Sequence, residues 1–303
     1  MKTKLRALGS LVLRNLKIFL SDRVGVFFSL LAPLIVLFLY LLFLKDVQLD
    51  SIKAMFEGVP VDEQLLDNII NNWMLAGVVS VACITVSFSA QERFIKDKET
   101  GVIADIKSSP VARPVIDASY FLSNLAITVC ICGIVLAVAL VYVAIAGWTL
   151  SFGDVVGLIG ALLMSSLSAS LVTGLISKAV KTSSQHGALV GIVSAAIGFL
   201  MGAYMPTSIF PTAVQYVTLF VPGTYSAALF RELFMRGAIE DLGGLSEQVA
   251  EAVEEAYTLK LDFFGKEIGP KEIAIVFAAT IALFALLWAV CAIVGKKRAA
   301  KKS

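Results

Sequence analysis

Six stretches of the chain, 24–44, 73–90, 120–146, 155–177, 187–205 and 273–295, contain no Asp, Glu, Lys, Arg or His. Each is close to the ~20 apolar residues that a helix needs to cross the hydrocarbon core of a bilayer. A backbone in lipid must satisfy its own hydrogen bonds, and a helix does so within one segment. This pattern predicts an all-α integral membrane protein with six transmembrane helices in a single domain over 1–303. Composition agrees, since 16% of the 303 residues are charged and 58% are hydrophobic. Soluble domains carry about 25% charged residues.

The charges between the runs are sorted by sign. Of the 25 basic residues, 18 lie in four segments: 1–23, the connection 91–119, the pair Lys178 and Lys181, and the tail from Lys296 through Lys301 and Lys302. Of the 23 acids, 17 lie in the other connections, chiefly 45–72 and 206–272. Basic loops stay on the cytoplasmic side. The expected topology therefore has both termini and 91–119 in the cytoplasm, and 206–272 outside the cell membrane. The net charge of +2 is too small to suggest a nucleic-acid partner.

Spans without ionisable groups argue against a proton-driven carrier and lack the acids and bases of an intramembrane enzyme. The chain has no H-E-x-x-H and no other metal-ligand spacing. Cys83, Cys130, Cys132 and Cys291 all lie within apolar runs and are expected as buried small hydrophobes. His186, the one histidine, has no second ligand nearby in sequence and is expected at the surface or lipid edge.

Several connecting segments carry structure of their own. Leu5, Leu8, Val12, Leu16 and Phe19 recur at helical spacing, with Lys4, Arg14 and Lys17 largely elsewhere around the axis. That pattern predicts an amphipathic interfacial helix over 1–23. The 206–272 segment is too long for a plain turn. Pro206, Pro211 and Pro222 break its first part into apolar pieces of about 10–14 residues, a length that suits re-entrant or interfacial helices. Leu245–Leu261 reads as an exposed acidic helix with Ser246 as N-cap. Gly187, Gly191, Gly198 and Gly202 would form one small-residue stripe on the fifth span, and SSLSAS gives the fourth a hydroxyl-rich face.

The island between the second and third runs, RFIKDKETGVIADIKSSPVARPVID, is the most charged stretch among them. Gly101 is expected to end a short helix over about 94–100, and Ser109 to cap a helix beginning at Pro110. Pro114 is a second candidate start, for the helix entering the third run. A short charged helix and a rigid turn would present backbone and charge to a partner protein.

Glu92-Arg93, Lys98-Glu99-Thr100-Gly101 and Ser109-Pro110-Val111-x-Arg113 match, with looser spacing, an E-R-E-x-G-T…SPV-x-R pattern. On these residues, and on the SDR before the Pro33-bearing first run and the VPGTYSAALFREL segment, the chain resembles the type-2 ABC transporter permeases, the drug and antibiotic exporter class. The resemblance implies that the island is a coupling helix seated in an ABC ATPase subunit, with Glu92, Arg93, Asp97, Lys98, Glu99, Thr100, Gly101, Ser109, Pro110 and Arg113 as its contact residues. It implies a second permease subunit, in a homodimer or heterodimer, with the second and fifth spans facing each other. Thr85, Phe88, Gly187, Gly191, Ser194, Gly198, Phe199 and Gly202 would line the dimer contact or the path.

The chain has no G-x-x-x-x-G-K-[ST]. The expectation is a non-enzymatic chain without its own cofactor, with ATP and magnesium held by the partner. The resulting function is ATP-driven export of a hydrophobic or amphipathic compound by alternating access. The alternative is a channel or membrane scaffold that works without ATP.

Overall fold

The computed structural model describes residues 2–55, 62–244 and 247–300 and is almost wholly helical. In chain order the helices are α1 (Lys2–Ser21), α2 (Arg23–Leu39), a π segment (Tyr40–Leu44), α3 (Lys45–Met55), α4 (Glu63–Glu99), α5 (Val102–Ser108), α6 (Arg113–Ala146), α7 (Phe152–Ala179) and α8 (Ser183–Leu200). A 3-10 turn (Thr207–Ile209) follows, then α9 (Thr212–Thr218), α10 (Pro222–Gly243), α11 (Glu247–Ala256) and α12 (Pro270–Ala300). Among the described residues the only strands are β1 (Leu261–Asp262) and β2 (Glu267–Ile268), paired antiparallel.

Short polar side chains and prolines set many of the boundaries. Asp22 and Asp62 accept from the Gly25 and Gln64 amides at the starts of α2 and α4. Ser151 and Asp154 cap α7 reciprocally, and the Thr182 hydroxyl accepts from the Gln185 amide at the start of α8. These side chains satisfy donors that a helix start leaves free. Pro114, Pro222 and Pro270 sit at the first positions of α6, α10 and α12, where a missing N–H costs nothing.

Among the described residues, five helices are long and apolar enough to cross a membrane: α4, α6, α7, α8 and α12. The expected first span, 24–44, is divided between the 17-residue α2, which contains Pro33, and the π segment that follows it. Leu283, Leu286 and Val290 of α12 and Ile134 and Val141 of α6 are exposed. An apolar outer surface of this kind is matched to lipid. α4 is different. Every residue from Ile69 to Cys83 is buried, so this helix is enclosed on all sides by α2, α6, α7, α8 and α10.

Close backbone approach is visible at Gly77 of α4, where an added Cβ would lie 2.9 Å from the Ala203 carbonyl oxygen. The buried interior also holds hydroxyl–amide glue. Asn124 of α6 accepts from Ser87 and Ser170 at 2.9 Å and from Thr128 at 3.2 Å, and donates to the Ser87 carbonyl. Ser87 bonds Thr173, and Ser165 bonds Ser226. The hydroxyl face expected on the fourth span thus binds α7 to α4, α6 and α10, in the manner of interhelical hydrogen bonds inside membranes.

Several expectations are corrected. The fifth run is helical to Leu200 and no further, because Gly202 takes φ +68° and closes a Schellman turn through Ala203 N–H to Gly198 O and Gly202 N–H to Phe199 O. Gly202 therefore lies off the proposed glycine stripe. The third apolar piece of 206–272 is a single 22-residue helix, α10, packed against α4 in the centre of the bundle. The acidic helix stops at Ala256, with Thr258 at positive φ, while its expected cap Ser246 lies outside the described residues, as do Lys301 and Lys302. Cys130 and Cys291 are exposed, whereas Cys83 and Cys132 are buried, and all four are free. His186 is buried, with Nε2 3.0 Å from the Phe88 carbonyl oxygen.

Candidate functional site

The last turn of α4 carries Asp97, Lys98 and Glu99 in succession, and each reaches a different element. Asp97 is fully buried. Its Oδ2 accepts from Arg14 Nη1 of α1 at 2.9 Å and from the Tyr120 hydroxyl of α6 at 2.7 Å, while Oδ1 pairs with Arg93 one turn back. Burial lowers the Arg14 pKa, but the hydrogen bond and charge of Asp97 outweigh it and hold the value above the ordinary one. Tyr120 also packs edge-on against Phe94, with ring centroids 5.2 Å apart. A carboxylate with both oxygens satisfied by two guanidinium groups and a phenol is a stable buried charge. With one partner removed it is a costly one.

Lys98 and Glu99 grip the α7–α8 connection by its two helix ends. The Lys98 ammonium donates to the carbonyls of Lys178 at 2.9 Å and Val180 at 2.5 Å, at the C-terminus of α7. Oε2 of Glu99 accepts from the Ser183 amide at 2.9 Å and from its hydroxyl at 2.5 Å, at the N-terminus of α8. Cation at the carbonyl end and anion at the amide end both match the helix dipoles.

Gly101 then turns the chain at φ +84°, a conformation that costs glycine little, and α5 begins at Val102. The expected short helix over 94–100 is instead the end of the 37-residue α4, and a separate helix, α5, follows the glycine. Ser109 closes α5 by donating to the Ile106 carbonyl at 2.5 Å, so it ends a helix where it was expected to start one. Pro110 lies in the bend after it, and Pro114 opens α6 as expected.

The structure brings Arg93, Asp97, Lys98, Glu99 and Gly101 together at one end of α4. Glu92, Thr100, Ser109, Pro110 and Arg113 are exposed around them. Three of the basic segments counted in the sequence, in α1, at 93–113 and at 178–181, meet here through Arg14, Asp97 and Lys98. Arg14, expected away from the apolar stripe of its helix, reaches the buried Asp97. Neither Arg14, Tyr120 nor Ser183 stood out in the sequence, because each matters only through a partner more than 20 residues away.

The candidate path residues are dispersed. Phe88 lines an apolar cavity of about 140 Å³ with Cys83, Thr173, Ile197, Gly223 and Phe277. Thr85 bonds back to its own helix. Gly187, Gly191 and Phe199 are exposed, Ser194 is half-buried, and Gly198 is covered by the Tyr204 ring.

In the Glu63 half of α4, beside Trp73, Arg231 of α10 is buried with no carboxylate partner among the described residues. It donates to the Met201 and Gly202 carbonyls at 3.0 and 2.5 Å and lies 5.8 Å from the centre of the Trp73 ring. Burial lowers its pKa to about 10, which leaves it charged at neutral pH. Its partners are carbonyls freed by the turn at Gly202.

A central buried helix, a lipid-matched exterior and five helices of spanning length define a multi-pass, all-α membrane protein. Residues 44–293 match the family model described as ABC-2 family transporter protein, and the chain belongs to that family. It is therefore the transmembrane permease type of ABC transporter subunit, and the family implies partnership with an ABC ATPase. No curated protein and no solved structure matches the chain.

Proposed function

We propose that this permease exports a hydrophobic or amphipathic compound by alternating access, driven by ATP hydrolysis on a separate ATPase subunit. Both termini and 91–119 would face the cytoplasm at the plasma membrane, and α5 with the end of α4 would seat in the ATPase. A second permease subunit would complete the path. ATP and magnesium would be bound by the partner, and this chain would supply no catalytic group.

One observation carries the reading. The three residues Asp97, Lys98 and Glu99 tie the last turn of α4 to α1, α6, α7 and α8 at once. A displacement of the Gly101 turn by a bound partner would be delivered to four helices without an intervening loop. For a near-complete switch between inward and outward states, about 5.5 kcal/mol of differential binding is needed. Closure of a nucleotide-bound partner is the proposed source.

The test is transport in proteoliposomes with and without the ATPase subunit. Movement of cargo is expected only with the ATPase and ATP. Glu99→Ala and Gly101→Pro are expected to abolish it while the chain remains folded in the membrane. Unaided vectorial movement, or normal export by both variants, would overturn the proposal and favour a channel or scaffold.

A further inference from the structure

Beside the end of α4, between α5, α6, α7 and α12, lies a cavity of about 280 Å³. Lys98, Lys107, Arg113 and Lys178 line it, with Phe121 and Trp288 as aromatic wall and Asp117 as the one acid in the lining. None of the four cations forms an ion pair among the described residues. Lys98 is held by two carbonyls. Lys178 is not: its Nζ is buried, makes no hydrogen bond, and lies 4.8 Å from the centre of the Trp288 ring.

A buried ammonium with three donors and no acceptor is costly, and the cation–π contact offsets only part of that cost. Three further cations around the same space raise the local positive potential. The missing partner is therefore an anion rich in acceptor oxygens. The position of the cavity narrows its chemistry. The wall residue Trp288 belongs to the apolar run of α12 just before the sequence turns to Lys296, Lys297 and Arg298, the pattern of a membrane–water boundary. Basic pockets between membrane helices on that boundary are matched to phosphorylated headgroups.

We propose that this cavity binds a phosphate group at the membrane surface, that of an anionic phospholipid headgroup, with Lys178 at its floor, Lys107 at its rim and Trp288 beside the glycerol end. Arg113 adds a planar guanidinium suited to phosphate oxygens. The Lys178 ammonium is buried in the lining, which favours a small headgroup over the acidic surface of a protein. Lys98 and Arg113 belong also to the set assigned to coupling, but Lys107, Lys178 and Trp288 do not, so variants at these three test the site apart from the transport reading.

The experiment uses the purified chain in neutral detergent, with bound lipid counted by native mass spectrometry and thermal unfolding followed in parallel. Phosphatidylglycerol, phosphatidylcholine and inorganic phosphate are titrated separately. Wild type is expected to bind phosphatidylglycerol at least tenfold more tightly than phosphatidylcholine and to gain thermal stability from it. The Lys107→Gln/Lys178→Gln variant is expected to lose on the order of tenfold or more in that affinity.

Lys266→Gln/Lys271→Gln, at the other end of the bundle, is expected to keep it. Lys107→Gln alone changes an exposed side chain and guards against misfolding of the double variant. Protection by inorganic phosphate without lipid, lost in the same double variant, would support the site and assign it to a soluble phosphorylated ligand. Equal binding of both lipids, full binding by the double variant, or protection only by the ATPase subunit would overturn the inference.

Discussion

Glu99 and Ser183 are joined twice across 84 residues, since one carboxylate oxygen accepts both the amide and the hydroxyl of the serine. The carboxylate stands in for a helix cap supplied from another helix. Its own exposure means that the bond contributes position more than stability.

The first prediction follows from that bond. Glu99→Ala is expected to leave the unfolding temperature within a few degrees of wild type, yet to speed amide exchange several-fold at Ser183, with Gln185 still held by Thr182. Hydrogen–deuterium exchange measured by mass spectrometry reads this directly. Unchanged exchange there would remove Glu99 as the cap of α8.

The buried carboxylate predicts a larger effect. Asp97→Ala leaves Arg14 and Arg93 facing a partly buried space without their counter-ion, and a loss of about 3 kcal/mol in stability is expected. Adding Arg14→Met should recover part of it, because one of the two stranded cations is then gone. Thermal unfolding in detergent checks both variants. Additive losses in the pair would contradict a shared ion cluster.

Asn124 binds three hydroxyls and a carbonyl inside the bundle. Asn124→Leu is expected to cost about 1–2 kcal/mol, within the range for interhelical hydrogen bonds in membranes. Ser170→Ala alone should cost less, since it removes one bond of the set. Equal losses in the two variants would contradict this bond-by-bond reading and mean that loss of one hydroxyl collapses the whole network.

At Gly77 the limit is space. A Cβ would stand 2.9 Å from the Ala203 carbonyl, and the atoms it meets are mostly backbone. Gly77→Val is therefore expected to destabilise by about 1–3 kcal/mol, with Gly77→Ala milder. Chemical denaturation of the detergent-solubilised chain provides the measurement.

Features that local sequence determines differ from those that depend on distant partners. The all-helical membrane class, the helix stop at Gly101 and the proline start at Pro114 were legible, because each depends on residues close together in the chain. The hydroxyl-rich face of α7 was legible too, but not its partners, which lie 46 to 86 residues away. The burial of α10 was not. Its Arg231 calls for water or protein partners, and only the Gly202 turn, 29 residues earlier, supplies them as two free carbonyls. His186 was misplaced for the same reason, since its partner is the carbonyl of Phe88, 98 residues away. At the candidate site, composition and motif identified Asp97, Lys98 and Glu99 but not what they hold. Arg14 lay on the wrong face in a helical projection because α1 turns Leu11 and Asn15, beside Arg14, toward the bundle and leaves Leu5 of the apolar stripe exposed.

α4 runs unbroken for 37 residues, about 55 Å at 1.5 Å per residue, so it outreaches the ~30 Å hydrocarbon core at one end or both. Gly77 touches the backbone of Ala203 between those ends, nearer the Glu63 end than the Glu99 end. A stiff rod seated on an off-centre fulcrum magnifies travel on its long arm and force on its short one. Spin labels at Asp62 and Thr100 would therefore swing in opposite senses, the second through the wider arc, in any transition that tilts this helix about that contact.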